Sequence, residues 1–195
     1  MEIRRPNEPT MTDPFKQNRR GFIKLSVLGA GGMCLLSRCA NPPLSPWRFL
    51  TEPEAILLDA LVEQIIPTDE WPGGRDAGVT NFIDRQLVGP YTRYQESYRK
   101  GLLAIRESCV SRYAKPFEAL AWEEQTNFLK AMEAGKMDGK NWEKGFDKQF
   151  FGLLRSHSLQ GFYGSPRHGG NRNYVSYKMM RLDYPVIVGQ NRYKG

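Results

Sequence analysis

Beyond residue 50, apolar residues recur at steps of three and four, and each run is bounded by a cap, a glycine or a proline. The first run passes through Ile56, Leu57, Ala60, Leu61 and Ile65. Thr51 stands before it as N-cap, with Glu54 three residues on as its reciprocal partner and Pro53 in the first turn, where a missing N–H is harmless. Leu50 supplies a hydrophobic staple and Pro67 ends the helix. From Pro67 to Gly74, two prolines and paired glycines predict a loop in which Trp71 covers the core. A second run, Val79, Phe82, Ile83 and Leu87, takes Asp76 as its expected cap and breaks at Gly89-Pro90. The third begins near Tyr91, with Tyr94, Tyr98, Leu102, Ile105 and Cys109 on one face, and Pro116 follows it. A fourth opens at Trp122-Glu123-Glu124-Gln125, whose carboxylates suit the positive end of a helix dipole. It buries Phe128, Leu129 and Met132 and closes at Gly135. The fifth runs from about Asn141 to about Leu159, with Trp142, Phe146, Phe150, Leu153 and His157 along one side.

No run alternates long enough to predict a strand, and Val186-Ile187-Val188 is too short to make a sheet alone. The fold class is therefore all-α: a single irregular domain of about five helices over residues 51–195, with a long ordered C-terminal loop segment. The densest stretch is GFYGSPRHGGNRNY, Gly161 to Tyr174. Its four glycines and Pro166 specify an irregular path, and such a path serves a contact. It either cradles a ligand or docks on something larger. A short amphipathic piece from Tyr174 to Leu182 and the Tyr184-Pro185 turn follow.

Charge changes this picture little. Residues 1–40 hold seven Lys and Arg against three Asp and Glu, so +4 of the net +7 belongs to the leader and +3 to the rest. A mildly basic body with mixed signs argues against nucleic acid as a partner. The leader itself is more informative. Asn18-Arg19-Arg20-Gly21-Phe22-Ile23-Lys24 precedes a glycine-rich apolar run, Leu25 to Leu36, with no acidic residue between Lys16 and Leu50. Arg19, Arg20, Phe22 and Lys24 fall in the order of a twin-arginine export signal, which makes residues 1–40 a signal segment and 41–50 a linker, and predicts a periplasmic protein. Three fates of the leader fit the residues: cleavage near Ala40, lipidation at Cys39, or retention as an anchor.

The body shows no constellation of catalytic type. Cys109 is its one cysteine, so no internal disulfide framework exists there, and no Cys-x-x-Cys-His is present for covalent haem. His157 and His168 lack metal-ligand spacing. His157, on an apolar helix face, reads first as a hydrogen-bonded core histidine and only second as a catalyst. Gly164-Ser165-Pro166 lacks the frame of a nucleophile elbow, and the glycine loop lacks the lysine of a P-loop. His168 beside Arg167 and Asn171 could still line a ligand pocket, which leaves a self-standing periplasmic sugar-binding protein or enzyme using residues 161–174 as the alternative.

Three groups of residues resemble one family, the subunit 3 of gluconate 2-dehydrogenase and of related sugar dehydrogenase complexes. They are the twin-arginine leader; Ile65-Ile66-Pro67-Thr68-Asp69 leading through Gly73-Gly74 to Ala77-Gly78-Val79 and Phe82-Ile83-Asp84; and Gly161-Phe162-Tyr163-Gly164-Ser165-Pro166 with Gly169-Gly170-Asn171 and Tyr184-Pro185. The chain departs from that family's pattern near Ser165, at His168 and at Tyr177. The resemblance implies an accessory subunit of an oxidoreductase complex and not the catalyst. Its partners would be a large FAD-dependent subunit of the glucose-methanol-choline type, a cytochrome c subunit carrying haem, and the twin-arginine translocase. No cofactor is implied for this chain alone. Phe162, Tyr163, Gly164, Pro166, His168, Gly169, Gly170, Asn171, Tyr184 and Pro185 would form the docking loop. On that reading, Val at Gly169 and Gly170 would damage complex assembly before the helical fold.

Overall fold

In the computed structural model, which describes residues 46–143 and 145–182, each of the five predicted runs becomes a helix. They are α1 Glu52–Ile65, α2 Val79–Leu87, α3 Gln95–Tyr113, α4 Trp122–Glu133 and α5 Phe146–Tyr163, followed by a short α6, Val175–Met179. Single 3-10 turns stand at Thr92–Tyr94, Phe117–Ala119, Pro166–His168 and Arg172–Tyr174, and no strand occurs among the described residues. The fold is all-α. The chain divides between Pro42 and Pro43, and every described residue lies in the second unit. Arg19, Arg20, Phe22, Lys24, Cys39, Tyr184 and Pro185 lie outside the described residues.

Several boundaries differ from the periodicity, each for a local reason. Helix α2 starts after Gly78, which adopts the left-handed conformation (φ 75°) at the N-cap, so Asp76 is not the cap. A 3-10 turn absorbs Tyr94, and α3 begins only at Gln95, whose side-chain amide donates to the Leu87 carbonyl at 2.8 Å and closes the end of α2. Gly145 is left-handed (φ 81°) and delays α5 to Phe146. Trp142 therefore sits in a turn, although it is buried and donates its indole N–H to Ser108 at 2.8 Å. Its spacing of four from Phe146 reflects a shared packing surface and not a common helix. At the other end α5 continues to Tyr163, so Gly161, Phe162 and Tyr163 form its last turn instead of opening the loop. Trp71 is 37% exposed and does not cover the core. On α1 the buried stripe is Leu57, Leu58, Leu61 and Val62, while Ile56 is 48% exposed.

Helix α5 is the spine, packing against each of the other five helices. Its buried face presents Phe150, Phe151, Leu154, His157, Ser158, Gly161 and Phe162. Close approach of α3 depends on Gly101: a Cβ there would lie 2.4 Å from the Phe150 ring. Phe150 in turn meets Tyr98 edge-on with centroids 5.5 Å apart. Burial of these rings and of Leu58, Leu61, Ile83, Leu87, Leu102 and Ile105, all at most 1% exposed, supplies the driving force for the fold.

Two carboxylates fix how the chain enters this core. Glu54 accepts both the backbone N–H and the hydroxyl of Thr51 at 2.8 Å, and pairs with Arg99 of α3. Burial alone would raise its carboxyl, but Arg99 and Thr51 outweigh that and hold it below the usual range. Asp84, 1% exposed on α2, accepts three consecutive backbone N–H groups, from Arg48 at 2.8 Å and from Phe49 and Leu50 at 2.9 Å. A buried carboxylate is tolerated only when so compensated, and here it ties the segment before α1 to α2. Asp84→Ala leaves those donors unpaired and is expected to lower the unfolding free energy by about 3 kcal/mol. Urea denaturation checks this, and Asp84→Asn, which keeps one acceptor oxygen, should lose less.

Candidate functional site

The glycine-rich segment after α5 folds back onto its own domain. Asn171, fully buried and left-handed (φ 44°), is its centre. Its amide N–H donates to the Gly164 carbonyl at 2.9 Å, and its side-chain oxygen accepts the Ser176 N–H at 3.0 Å, so one residue ties the start of the loop to the start of α6. The Arg172 N–H donates to the Ala77 carbonyl at 2.9 Å, and the Asn81 amide donates to the Gly169 carbonyl at 2.8 Å. These bonds lay the loop along the face of α2 formed by Gly78, Asn81 and Arg85. Gly78 and Gly169 are both left-handed, and a Cβ on Gly78 would stand 3.2 Å from the Gly169 carbonyl oxygen. At Gly170 the approach is closer: a Cβ there would be 2.1 Å from the carbonyl oxygen of Gly161 on α5. The two glycine motifs of the sequence, around residues 73–78 and 161–171, are therefore brought together by contact.

This geometry sorts the predicted docking residues. Phe162, Gly170 and Asn171 are buried and face the domain's own helices. Gly164, Pro166 and Gly169 are half-buried, while Tyr163 and His168 are exposed. His168 accepts the Arg167 Nε–H at 3.0 Å and stands at the edge of a groove of about 390 Å³. Phe82, Pro90 and Tyr91 make the groove's apolar part, and Gln86, Gln160, Gly164 and His168 complete its lining. Sequence reading assigned no role to Asn81, Gln86, Tyr91 or Gln160. Asn81 reaches the loop at Gly169 across 88 residues and Tyr91 reaches Gln160 on α5 across 69, and no local pattern signals such contacts.

Beneath the groove lies a buried polar stack. Tyr91 donates its hydroxyl to Gln160 and lies parallel to the His157 ring with centroids 4.1 Å apart. His157, 3% exposed, shares a hydrogen bond of 3.0 Å between its Nδ1 and the hydroxyl of Tyr98. Burial, helped by the Arg93 charge, lowers the His157 pKa to about 4, so the imidazole is neutral at pH 7. Burial likewise pushes the Tyr98 hydroxyl far above its ordinary value. His157 is a hydrogen-bonded core histidine. Cys109 is also a core residue: burial first, then Glu118, pushes its thiol up to about 12, and the protonated form is a poor nucleophile. Among the described residues no three His, Cys, Asp or Glu side chains gather as a metal ion would require. None of the described helices is long and apolar enough to cross a membrane.

The sequence profile of gluconate 2-dehydrogenase subunit 3 matches residues 52–183. The chain belongs to the gluconate 2-dehydrogenase subunit 3 family. In this subunit 3 chain the matched region begins at the first residue of α1 and runs past α6, so it takes in the whole described helical assembly, the α2 motif and the glycine loop together. The family is a subunit of a dehydrogenase complex, which gives the chain a catalytic partner. No curated protein and no solved structure gave a significant match.

Two outcomes follow from this geometry. Because the Gly170 site is closed by the subunit's own backbone, Gly170→Val should destabilise the isolated subunit by about 3 kcal/mol, read by thermal or urea unfolding on circular dichroism. Its fold is thus damaged no later than its assembly, opposite to the order expected from sequence. His157 gives the second. Its folded pKa lies below the unfolded value near 6.5, so the unfolded chain binds the extra proton and stability falls as pH drops from 6.5 toward 4. The loss should reach about 3 kcal/mol at the low end. Between pH 6.5 and 5, above most carboxylate titration, His157→Gln should flatten the slope in denaturant titrations.

Proposed function

We propose that this chain is the small, non-catalytic subunit of a periplasmic FAD-dependent sugar or gluconate dehydrogenase complex, and that it assists the folding, stability and twin-arginine export of the catalytic subunit. The observation that carries this reading is the family match over residues 52–183 in a chain that also has Arg19-Arg20 followed by Phe22 and Lys24. In this reading FAD belongs to a large subunit of the glucose-methanol-choline type, haem c to a further subunit, and neither to this chain. The leader addresses the translocase, and Cys39 offers a lipid anchor at the membrane if it is acylated.

The escort role has a simple physical basis. A subunit that binds only the folded partner raises that partner's stability by mass action, and the twin-arginine route carries folded cargo, so one export signal serves both chains. The exposed edge formed by Tyr163 at the end of α5 and His168 of the glycine loop, with half-buried Gly164, Pro166 and Gly169, is the contact surface in this scheme. Phe162, Gly170 and Asn171 hold it from behind. The Arg19→Lys, Arg20→Lys double substitution tests the proposal by cell fractionation. Both this chain and the flavoprotein should remain in the cytoplasm, and periplasmic dehydrogenase activity should fall to background. Unchanged export of the flavoprotein would sink the escort role.

A further inference from the structure

Residues 148–182 contain six basic side chains, Lys148, Arg155, Arg167, Arg172, Lys178 and Arg181, and no aspartate or glutamate. All six are exposed. Arg155 is paired with Glu133 at 3.2 Å, and Arg172 shares the half-buried Asp59 with Arg75. Arg167 hydrogen-bonds to His168, which brings no negative charge to it. From α2, Arg85 reaches the same place: a Cβ on Gly169 would lie 2.8 Å from its Cδ and 3.3 Å from its Nη1. Arg167 thus adjoins His168 at the edge of the 390 Å³ groove with its apolar Phe82, Pro90 and Tyr91, and Arg85 contacts Gly169 on the loop beside it, although neither arginine lines the groove itself. Among the described residues no carboxylate lines that groove.

An apolar recess with two arginines beside it has the anatomy of a protein interface, where a desolvated centre supplies affinity and charges around it supply steering and register. A bilayer would favour several apolar side chains protruding beyond the basic ones, and here Phe82 is buried and Tyr91 half-buried, with Pro90 alone of the three exposed. The occupant that complements both features is an apolar side chain ringed by aspartate and glutamate. We infer that the groove between α2, the Pro90–Tyr91 turn and the glycine loop, with Arg85 and Arg167 beside it, receives an acidic-rimmed apolar protrusion of the catalytic subunit. The inference rests on the accessory-subunit reading and specifies the surface and chemistry through which the two subunits meet.

The test uses the full chain, tagged and co-expressed with the flavoprotein subunit that co-purifies with it. Affinity is measured for the wild type, for Arg85→Glu with Arg167→Glu, and for a control on α3, Arg106→Glu with Arg112→Glu. The loop-side pair should weaken binding about a hundredfold or more, and the control less than about threefold. Wild-type affinity should itself drop by at least about tenfold between low and moderately high salt, a measurement that needs no variant and is immune to misfolding. Arg85→Gln with Arg167→Gln, which removes charge without reversing it, should fall between. A wild-type complex indifferent to salt and to both loop-side pairs would overturn the inference while leaving the accessory role intact. Failure of the wild type to hold any flavoprotein would remove both. Loss of binding to phosphatidylserine vesicles in the loop-side variants, with subunit affinity unchanged, would assign the patch to a membrane instead. Gluconate or glucose binding to the isolated chain that His168→Ala abolishes would assign the groove to a sugar.

Discussion

Where the last turn of α5 meets the glycine loop, the carbonyl oxygen of Gly161 approaches so closely that a Cβ at Gly170 would stand 2.1 Å away. The rest of the site hangs on that contact. It sets the depth at which the loop crosses α5, and therefore where Gly169 lies against Asn81 and Arg85 and where His168 faces Phe82 and Gln160. Gly161 serves α2 as well, since a Cβ on it would be 2.8 Å from the Phe82 ring. Backbone has replaced side chain at the junction of three segments, and only glycine permits this.

Buried polar groups then remove the remaining freedom. Asp84 gathers three backbone N–H groups before α1, Asn171 bridges Gly164 and Ser176, and His157 is locked between Tyr91 and Tyr98. Each would be destabilising if unpaired in so dry a place, and each is satisfied by a partner distant in sequence or across a turn. The result is a rigid platform beneath an exposed, basic and partly apolar edge. Rigid support of an exposed loop lowers the ordering cost of any binding made through it.

The helices were legible because amphipathic periodicity is local. Thr51 and Glu54 marked the start of α1, and Tyr98, Leu102, Ile105 and Cys109 marked the buried face of α3. Errors arose where a tertiary contact imitated or interrupted the period. Trp142 continues the four-residue step of α5 from inside a turn, because it packs on the same surface and finds Ser108 on α3. Gly161 to Tyr163 looked like loop because of their composition, but they complete the last turn of the spine helix. Trp71 lies on the exposed side of its loop, whose turn is set by Thr68 and Glu63: the Gly73 N–H donates to the Thr68 hydroxyl and the Thr68 N–H to Glu63.

By itself the sequence determined the all-α class, the order of the helices, the core stripe of most of them and, through its motifs, membership of the subunit 3 family. Each of these depends on spacing within a few turns of chain, or on residue identity alone. Tertiary structure decided what the glycine loop is pressed against, which of its residues face inward, and which side chains from α2 and the Pro90–Tyr91 turn complete its surface. Most of those outcomes depend on close approach between segments 69 to 95 residues apart, as from Tyr91 to Gln160 and from Ala77 to Arg172, and no local pattern encodes such a distance.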